Sequence, residues 1–216
     1  MEFINRLKHS AYDNLSTDGF EKDLSGWMDG SLGSILKSKV EHLSRDYPLL
    51  VVEVGSWKGL SSVCMAETLK TMGFTNFNIL CVDTWLGAPE FWTYGIDESH
   101  RGVSLNIVDG YPSVFKTFTR NVKLSNCHDV IAPFPLSSQQ ALEVCKYYKL
   151  EADVIYIDAS HEYEAVKSDI EGWMQVLKNG GTMFGDDYSQ AWPGVVRAVN
   201  EQGTPEVTGV VWLFKK

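Results

Sequence analysis

Short apolar runs alternate with helically periodic segments along most of this chain, and that alternation limits its fold more than any other feature. Leu32, Ile35, Leu36, Lys39, Val40 and Leu43 recur at amphipathic-helix spacing until Tyr47-Pro48 ends the segment. Residues 49–54, Leu-Leu-Val-Val-Glu-Val, read as a buried strand, followed by a turn from Gly55 to Gly59 and a helix over 60–72. Further strands are expected over 78–83, ending near Ile131, and over 153–158, 180–187 and 208–214. Helices are expected over 113–122, 138–148, 163–177 and 194–201. Strands that alternate with helices build a doubly wound α/β fold on a mostly parallel sheet. Ligands of such sheets lie beyond the carboxyl ends of the strands.

Acidic residues stand at those ends. Asp158 closes the run Asp153-Val-Ile-Tyr-Ile-Asp158, and Asp186 and Asp187 close Gly180-Gly-Thr-Met-Phe-Gly-Asp186-Asp187. If the two strands are neighbours, the carboxylates meet at one edge. Like charges in a partly dry cleft need a cation or a shifted pKa. A hard divalent ion such as Mg²⁺ suits an all-oxygen set, because it completes its octahedron with water and substrate.

The turn Glu53-Val-Gly55-Ser56-Trp57-Lys58-Gly59 spaces its glycines G-x-x-x-G, whereas the dinucleotide fingerprint is G-x-G-x-x-G. Trp57 stands where the second glycine would let backbone approach a pyrophosphate, which disfavours a nicotinamide cofactor. No Gly-Lys-Ser/Thr follows, so the P-loop pattern fails as well. Close approach of a ligand without phosphates and a plain strand-to-helix connection both remain open. Asp83 ends the second strand, where an ionised carboxylate can accept from two ribose hydroxyls or cap a turn.

Composition narrows the function classes. A net charge of −9 over 216 residues, with no dense Lys/Arg stretch, argues against duplex nucleic acid or anionic lipid as the main partner. Cys64, Cys81, Cys127 and Cys145 show no C-x-x-C spacing; Cys64 and Cys81 read as small core residues, and a disulfide framework is not expected at this chain size, which fits a reducing cytoplasm. Neither a signal-peptide core nor an apolar run of the ~18 residues that span a bilayer is present.

Taken in order, Glu53-Val-Gly55-Ser-x-x-Gly59, Val82-Asp83, Asp158-Ala-Ser-His161 and Gly180-Gly-x-x-x-x-Asp186-Asp187 resemble the class I S-adenosylmethionine-dependent methyltransferases, over roughly residues 30–214. Within that superfamily the pattern is most similar to the metal-dependent O-methyltransferases. These are the macrocin-type, sugar-modifying enzymes and, more distantly, catechol O-methyltransferase. The resemblance implies a seven-stranded Rossmann-like sheet with an antiparallel C-terminal strand. It implies that Gly55, Ser56 and Gly59 flank the methionine part of S-adenosylmethionine, with Glu53 supporting the turn and Asp83 on the ribose. Ser138-Gln139 resembles the adenine-contacting pair of that family, although Ser138 also reads as a helix N-cap. Asp158, beside the cofactor, would join Asp186 and Asp187 as ligands of Mg²⁺ or another divalent cation. Catechol O-methyltransferase has Asn at the third ligand position, so Asp187 favours a sugar-type acceptor. His161 stands where that enzyme carries its catalytic lysine, and a neutral imidazole there could take a hydroxyl proton. An alternative is a simple capping pair with Asp158.

Residues 1–30 show only weak periodicity and are expected as an extension packing near the active site, ahead of one domain over 31–216. An insertion at 84–111 holds Trp85, Phe91, Trp92, Tyr94 and Tyr111 without a regular period, and a loop of that length reads as a lid or as packing. Trp27, Met28 and the Trp192-Pro193-Gly194 stretch would border the acceptor. His100, Arg101 and Arg197 could meet an acidic acceptor or simply face solvent. Rival readings are a nucleotide-sugar or NAD-dependent oxidoreductase and a non-catalytic cofactor-binding protein. The expected partner is a small hydroxylated molecule, with no nucleic acid or membrane; the resemblance also suggests homo-oligomers.

Overall fold

The computed structural model describes residues 2–93 and 105–216. After helices α1 (Glu2–Tyr12) and α2 (Leu32–Val40) come β1 (Leu49–Val54), α3 (Leu60–Thr71), β2 (Phe77–Val82) and α4 (Pro89–Thr93). A two-stranded ribbon, β3 (Ile107–Val108) with β4 (Tyr111–Pro112), leads to α5 (Val114–Leu124), β5 (Ile131–Phe134) and α6 (Ser138–Tyr147). The chain ends with β6 (Ala152–Ile157), α7 (Tyr163–Trp173), β7 (Leu177–Gly185), α8 (Pro193–Glu201), β8 (Glu206–Thr208) and β9 (Val211–Lys215). The main sheet has the order β5-β2-β1-β6-β7-β9-β8, and β9 runs against both of its neighbours. This is the expected doubly wound, mostly parallel seven-stranded sheet with an antiparallel C-terminal strand.

Period-two alternation makes β1 apolar throughout. Leu49 and Val51 pack under α2, α3 and α5, while Leu50, Val52 and Val54 pack under α6, α7 and α8. With both faces covered, an uninterrupted apolar run is the only stable composition for a central parallel strand. Glu53 is the exception. It is fully buried, and its carboxylate accepts from Ser61 Oγ at 2.5 Å and from Ser62 Oγ. Burial raises its pKa, opposed by those two hydroxyls. The acid therefore ties the first turn of α3 to the strand that precedes it.

Several elements depart from the sequence expectation, among them α4 and the β3–β4 ribbon inside the insertion. Helix α1 forms where only a weakly periodic extension is expected, and its amphipathic face covers an edge strand. Ile4 and Tyr12 are buried, Phe3 lies 5.3 Å from Phe134 of β5, and Lys8 Nζ donates to Asn78 Oδ1 at 2.7 Å and to the Asp129 carbonyl at 2.8 Å. Strand β5 starts, rather than ends, at Ile131 and contains Pro133. Proline is tolerated there because β5 is an edge strand with no partner beyond it. Helix α7 stops at Trp173, leaving room for a tight turn into β7, which starts at Leu177. The expected single strand over 208–214 is a hairpin turning at Gly209, which has φ +61°.

Gly55 is the tightest point of the frame. It has φ +91°, and a Cβ built there would lie 2.0 Å from the carbonyl oxygen of Asp158. The Gly55→Ala variant should lose roughly 3 kcal/mol or more from strain and overlap together. A urea unfolding curve with an unchanged midpoint would count against this packing.

Candidate active site

The carboxyl ends of β2, β1 and β6 are joined by backbone bonds, Gly55 N–H to the Val82 carbonyl at 2.9 Å and Asp158 N–H to the Val54 carbonyl at 2.8 Å. Asp83 and Asp158 therefore flank the glycine turn on either side. Asp83 Oδ2 accepts from the Ser56 and Trp57 N–H groups at 3.0 and 2.8 Å, and Oδ1 accepts from Trp85 N–H at 2.7 Å. Burial pushes its pKa up, and those N–H groups pull it back. Asp83 thus first shapes the turn; each oxygen keeps acceptor capacity for a ligand. Gly59, at φ +92°, caps α3 and meets the Phe118 ring, so both glycines have packing reasons of their own. Ser56 Oγ lies near Glu53 but makes no hydrogen bond of good geometry.

Strands β6 and β7 are parallel neighbours in register, Tyr156 opposite Phe184 and Ile157 opposite Gly185, so their terminal acids come side by side. Asp158 Oδ2 lies 3.0 Å from Tyr156 Oη, and Asp186 Oδ2 lies 3.5 Å from the same hydroxyl. One phenol thus bridges two carboxylates. Burial and the neighbouring Asp186 and Asp187 charges raise the Asp158 pKa to about 8. Burial likewise raises that of Asp186, with the Asp187 and Asp29 charges adding to it. Asp186 Oδ2 also accepts from Asp29 N–H at 3.1 Å, a partner 157 residues away in the chain.

The third acid turns elsewhere. Asp187 adopts a left-handed backbone, φ +66°, and its Oδ2 lies 2.8 Å from His161 Nε2. The His161 ring stacks on Trp192 with centroids 3.8 Å apart. A Cβ at Gly194 would meet the His161 carbonyl at 2.5 Å, so only glycine lets α8 start this close. His161 pairs with Asp187 rather than capping with Asp158. Among the described residues, no three His, Cys, Asp or Glu side chains form a metal-binding group. Two acids converge as expected from the sequence, while Asp187 serves the imidazole.

Ser137, rather than Ser138, caps α6, its hydroxyl accepting from Gln140 N–H at 3.4 Å. Ser138 points inward, donating to buried Asp169 and accepting from Trp173 Nε1 at 2.8 Å.

Of the N-terminal extension, α1 lies at the far edge of the sheet and only the later residues reach the site. Lys58 of the glycine turn donates to Asp23 Oδ2 at 2.6 Å and to Ser25 Oγ at 3.0 Å, and Asn121 Nδ2 reaches the Asp23 and Lys58 carbonyls. Gly26 packs against Trp57, and Asp29 clips to Asp186. Trp27 is largely exposed beside this clip. In the aromatic insertion, Trp85 is a core residue, buried against Phe115 and Phe118 with Nε1 donating to the Trp57 carbonyl at 2.7 Å. Trp57 meets Phe91 at 4.6 Å, while Trp92 and Tyr111 are exposed. Tyr94, His100 and Arg101 lie outside the described residues. Arg197 lies over the Tyr163 ring and pairs with Glu201 on α8, away from the acids.

Tyr156, Asp29, Lys58 and Asp169 are site residues that sequence reasoning missed. Tyr156 was detectable, because it lies two positions before Asp158 and so on the same strand face. The others are brought in by contacts distant in sequence.

A model of the methyltransferase-domain family matches residues 52–188, the stretch from the glycine strand through both acidic strand ends. The chain belongs to this family. As an S-adenosylmethionine-dependent methyltransferase it has no place for the nicotinamide alternative. Solved structures share its fold: the O-methyltransferase NovP (TM-score 0.59, 16% identity, covering 86% of this chain and 78% of that one) and the calicheamicin methyltransferase CalS11 (0.61, 17%, 99% and 91%). An O-methyltransferase from Bacillus cereus in complex with SAH also matches (0.56, 14%, 100% and 90%). No protein of curated function matches this methyltransferase in sequence. No helix among its described residues is long and apolar enough to cross a membrane.

The raised Asp158 pKa fixes the sign of a pH effect. Between the ordinary carboxylate value of 3.8 and about 8, the folded state holds a proton that the unfolded state has lost. Its stabilising contribution is therefore present at low pH and declines as pH rises through that window. Without divalent cations, denaturation midpoints should fall from about pH 5 to about pH 8. The Asp158→Asn variant should flatten that fall; equal slopes for both proteins would contradict the shift.

Proposed function

We propose that this methyltransferase transfers the S-adenosylmethionine methyl group to a hydroxyl of a small molecule such as a sugar or glycosylated metabolite. The observation that carries the reading is the meeting of Asp158 and Asp186 at Tyr156 Oη, one strand from the Gly55 turn. His161 stands alongside, with Asp187 behind it. In a single in-line displacement the acceptor oxygen attacks the methyl carbon, and the sulfur–carbon bond breaks with its electron pair left on sulfur. The hydroxyl proton passes to His161. Asp187, 2.8 Å from Nε2, favours the imidazolium that results. Gly55, Ser56 and Gly59 would hold the methionine end, Asp83 the ribose, and Ser138 with Gln139 the adenine. Trp192 fixes the imidazole plane by stacking, and the clip at Asp29 ties the N-terminal segment to the acids.

The donor set also fits a divalent cation in part. Mg²⁺ is commonly held by one or two carboxylates with water and substrate completing its shell. Asp158 and Asp186 supply such a pair, and the repulsion that raises their pKa values would be relieved by a cation. Asp187 would complete a three-acid set through Oδ1, with Oδ2 kept on His161. A bound cation would supply a lowered pKa for the acceptor hydroxyl and a fixed oxygen position.

Calorimetric titration should show binding of S-adenosylhomocysteine and none of NAD, and a panel of hydroxylated metabolites should reveal methyl acceptance at oxygen. The Asp186→Ala variant should lose about 100-fold or more in turnover while S-adenosylhomocysteine affinity changes by less than about 3-fold. Undiminished turnover of the wild-type protein in chelator-treated buffer would remove the cation from this scheme. Transfer to nitrogen or carbon acceptors alone would overturn the O-methyl assignment.

A further inference from the structure

Tyr156 is a fully buried phenol whose ring and hydroxyl serve different ends. The ring packs against Phe184, centroids 5.1 Å apart, on the sheet face that α2, α3 and α5 cover. The hydroxyl reaches the strand ends, 3.0 Å from Asp158 Oδ2 and 3.5 Å from Asp186 Oδ2. Among the described residues no other group donates to the Asp158 carboxylate. Asp186 has further donors, Asp29 N–H on Oδ2 and Asp187 N–H on Oδ1 at 2.8 Å. The phenol therefore sets which way the Asp158 side chain turns.

A carboxylate is planar, so holding one oxygen back leaves the other facing away from the holder. Asp158 Oδ1 keeps both acceptor sites and Asp186 Oδ1 keeps one. A cleft of about 10 Å³, room for about one water-sized sphere, opens between the loops after β6 and β7. Asp158, His161, Asp186 and Asp187 line it, together with Val195 and Trp212. The last two pack on the sheet face opposite Tyr156, so the hydroxyl approaches the acids from behind that cleft. We propose that Tyr156 is a positioning residue, whose hydroxyl holds the two Oδ2 atoms back so that the Oδ1 atoms are free to take a hard divalent cation. It acts through the acids and does not touch the ion. A donor shared by two carboxylates also restrains them from swinging apart, which like charges otherwise favour. Removing an outer hydrogen-bond partner of this kind costs about 10- to 100-fold in metal affinity. This inference rests on the cation reading of the acids and adds the group that sets their geometry.

Tyr156→Phe keeps the ring and removes only the oxygen. Electron paramagnetic resonance of free Mn²⁺, titrated without cofactor or acceptor, should show an affinity about 10-fold or more below that of the wild-type protein. The affinity for S-adenosylhomocysteine should change by less than about 3-fold. Phe184→Leu is the second arm, since it loosens the packing of the ring and leaves the hydroxyl in place. Its Mn²⁺ affinity should stay within about 3-fold of wild type. Equal Mn²⁺ affinity in Tyr156→Phe and wild type overturns the positioning role and leaves the cation reading standing. Equal losses in Tyr156→Phe and Phe184→Leu assign the effect to packing and overturn it as well. Failure of the wild-type protein to bind Mn²⁺ would instead defeat the cation reading, and the role of Tyr156 with it.

Discussion

The contact between the Gly55 turn and the end of β6 is the constraint on which the site depends. The Asp158 carbonyl occupies the space that a side chain at position 55 would need, and the Asp158 N–H bonds back to Val54. That approach sets the acid at the end of β6 directly beside the turn that would hold the cofactor's methionine end. The glycine is needed for strand-to-strand fit before any ligand is present. Asp83 acts from the other side, its carboxylate gathering the Ser56 and Trp57 N–H groups. The turn is therefore preorganised by its neighbours, as a binding site held on rigid elements needs to be.

Like charges are handled in two different ways at the acidic strand ends. Asp158 and Asp186 share the Tyr156 hydroxyl, and burial together with mutual repulsion raises the pKa of each. Asp187 escapes the crowd through a left-handed backbone that carries its carboxylate to His161. The same three residues that look equivalent in sequence thus divide into a bridged pair and an imidazole partner. The N-terminal segment closes the arrangement, since Lys58 links the glycine turn to Asp23 and the Asp29 backbone reaches Asp186. Glycine turn, acids and N-terminal strap form one connected unit.

Residues that strand and helix periodicity cannot connect were the ones hidden from the sequence. Trp85 belongs to an aromatic stretch that reads as a lid, yet it is a core residue whose indole N–H bonds to the Trp57 carbonyl. Ser138 reads as a helix cap, yet Ser137 takes that role and frees Ser138 to face Asp169. Helix α1 is amphipathic, yet the edge strand β5 that it covers lies far later in the chain. Each of these depends on a partner brought near only by the folded sheet.

By itself the sequence determined the alternation of strands and helices, the positions of the acids at strand ends and the order of the methyltransferase pattern from Glu53 to Asp187. Those features are local, because apolar periodicity and turn glycines act over a few residues. Tertiary structure alone decided which acids meet, which one serves His161 and which half of the N-terminal segment reaches them. Side-chain direction at a strand end depends on register, neighbouring backbone and the charges already present. None of these is fixed until the strands are paired.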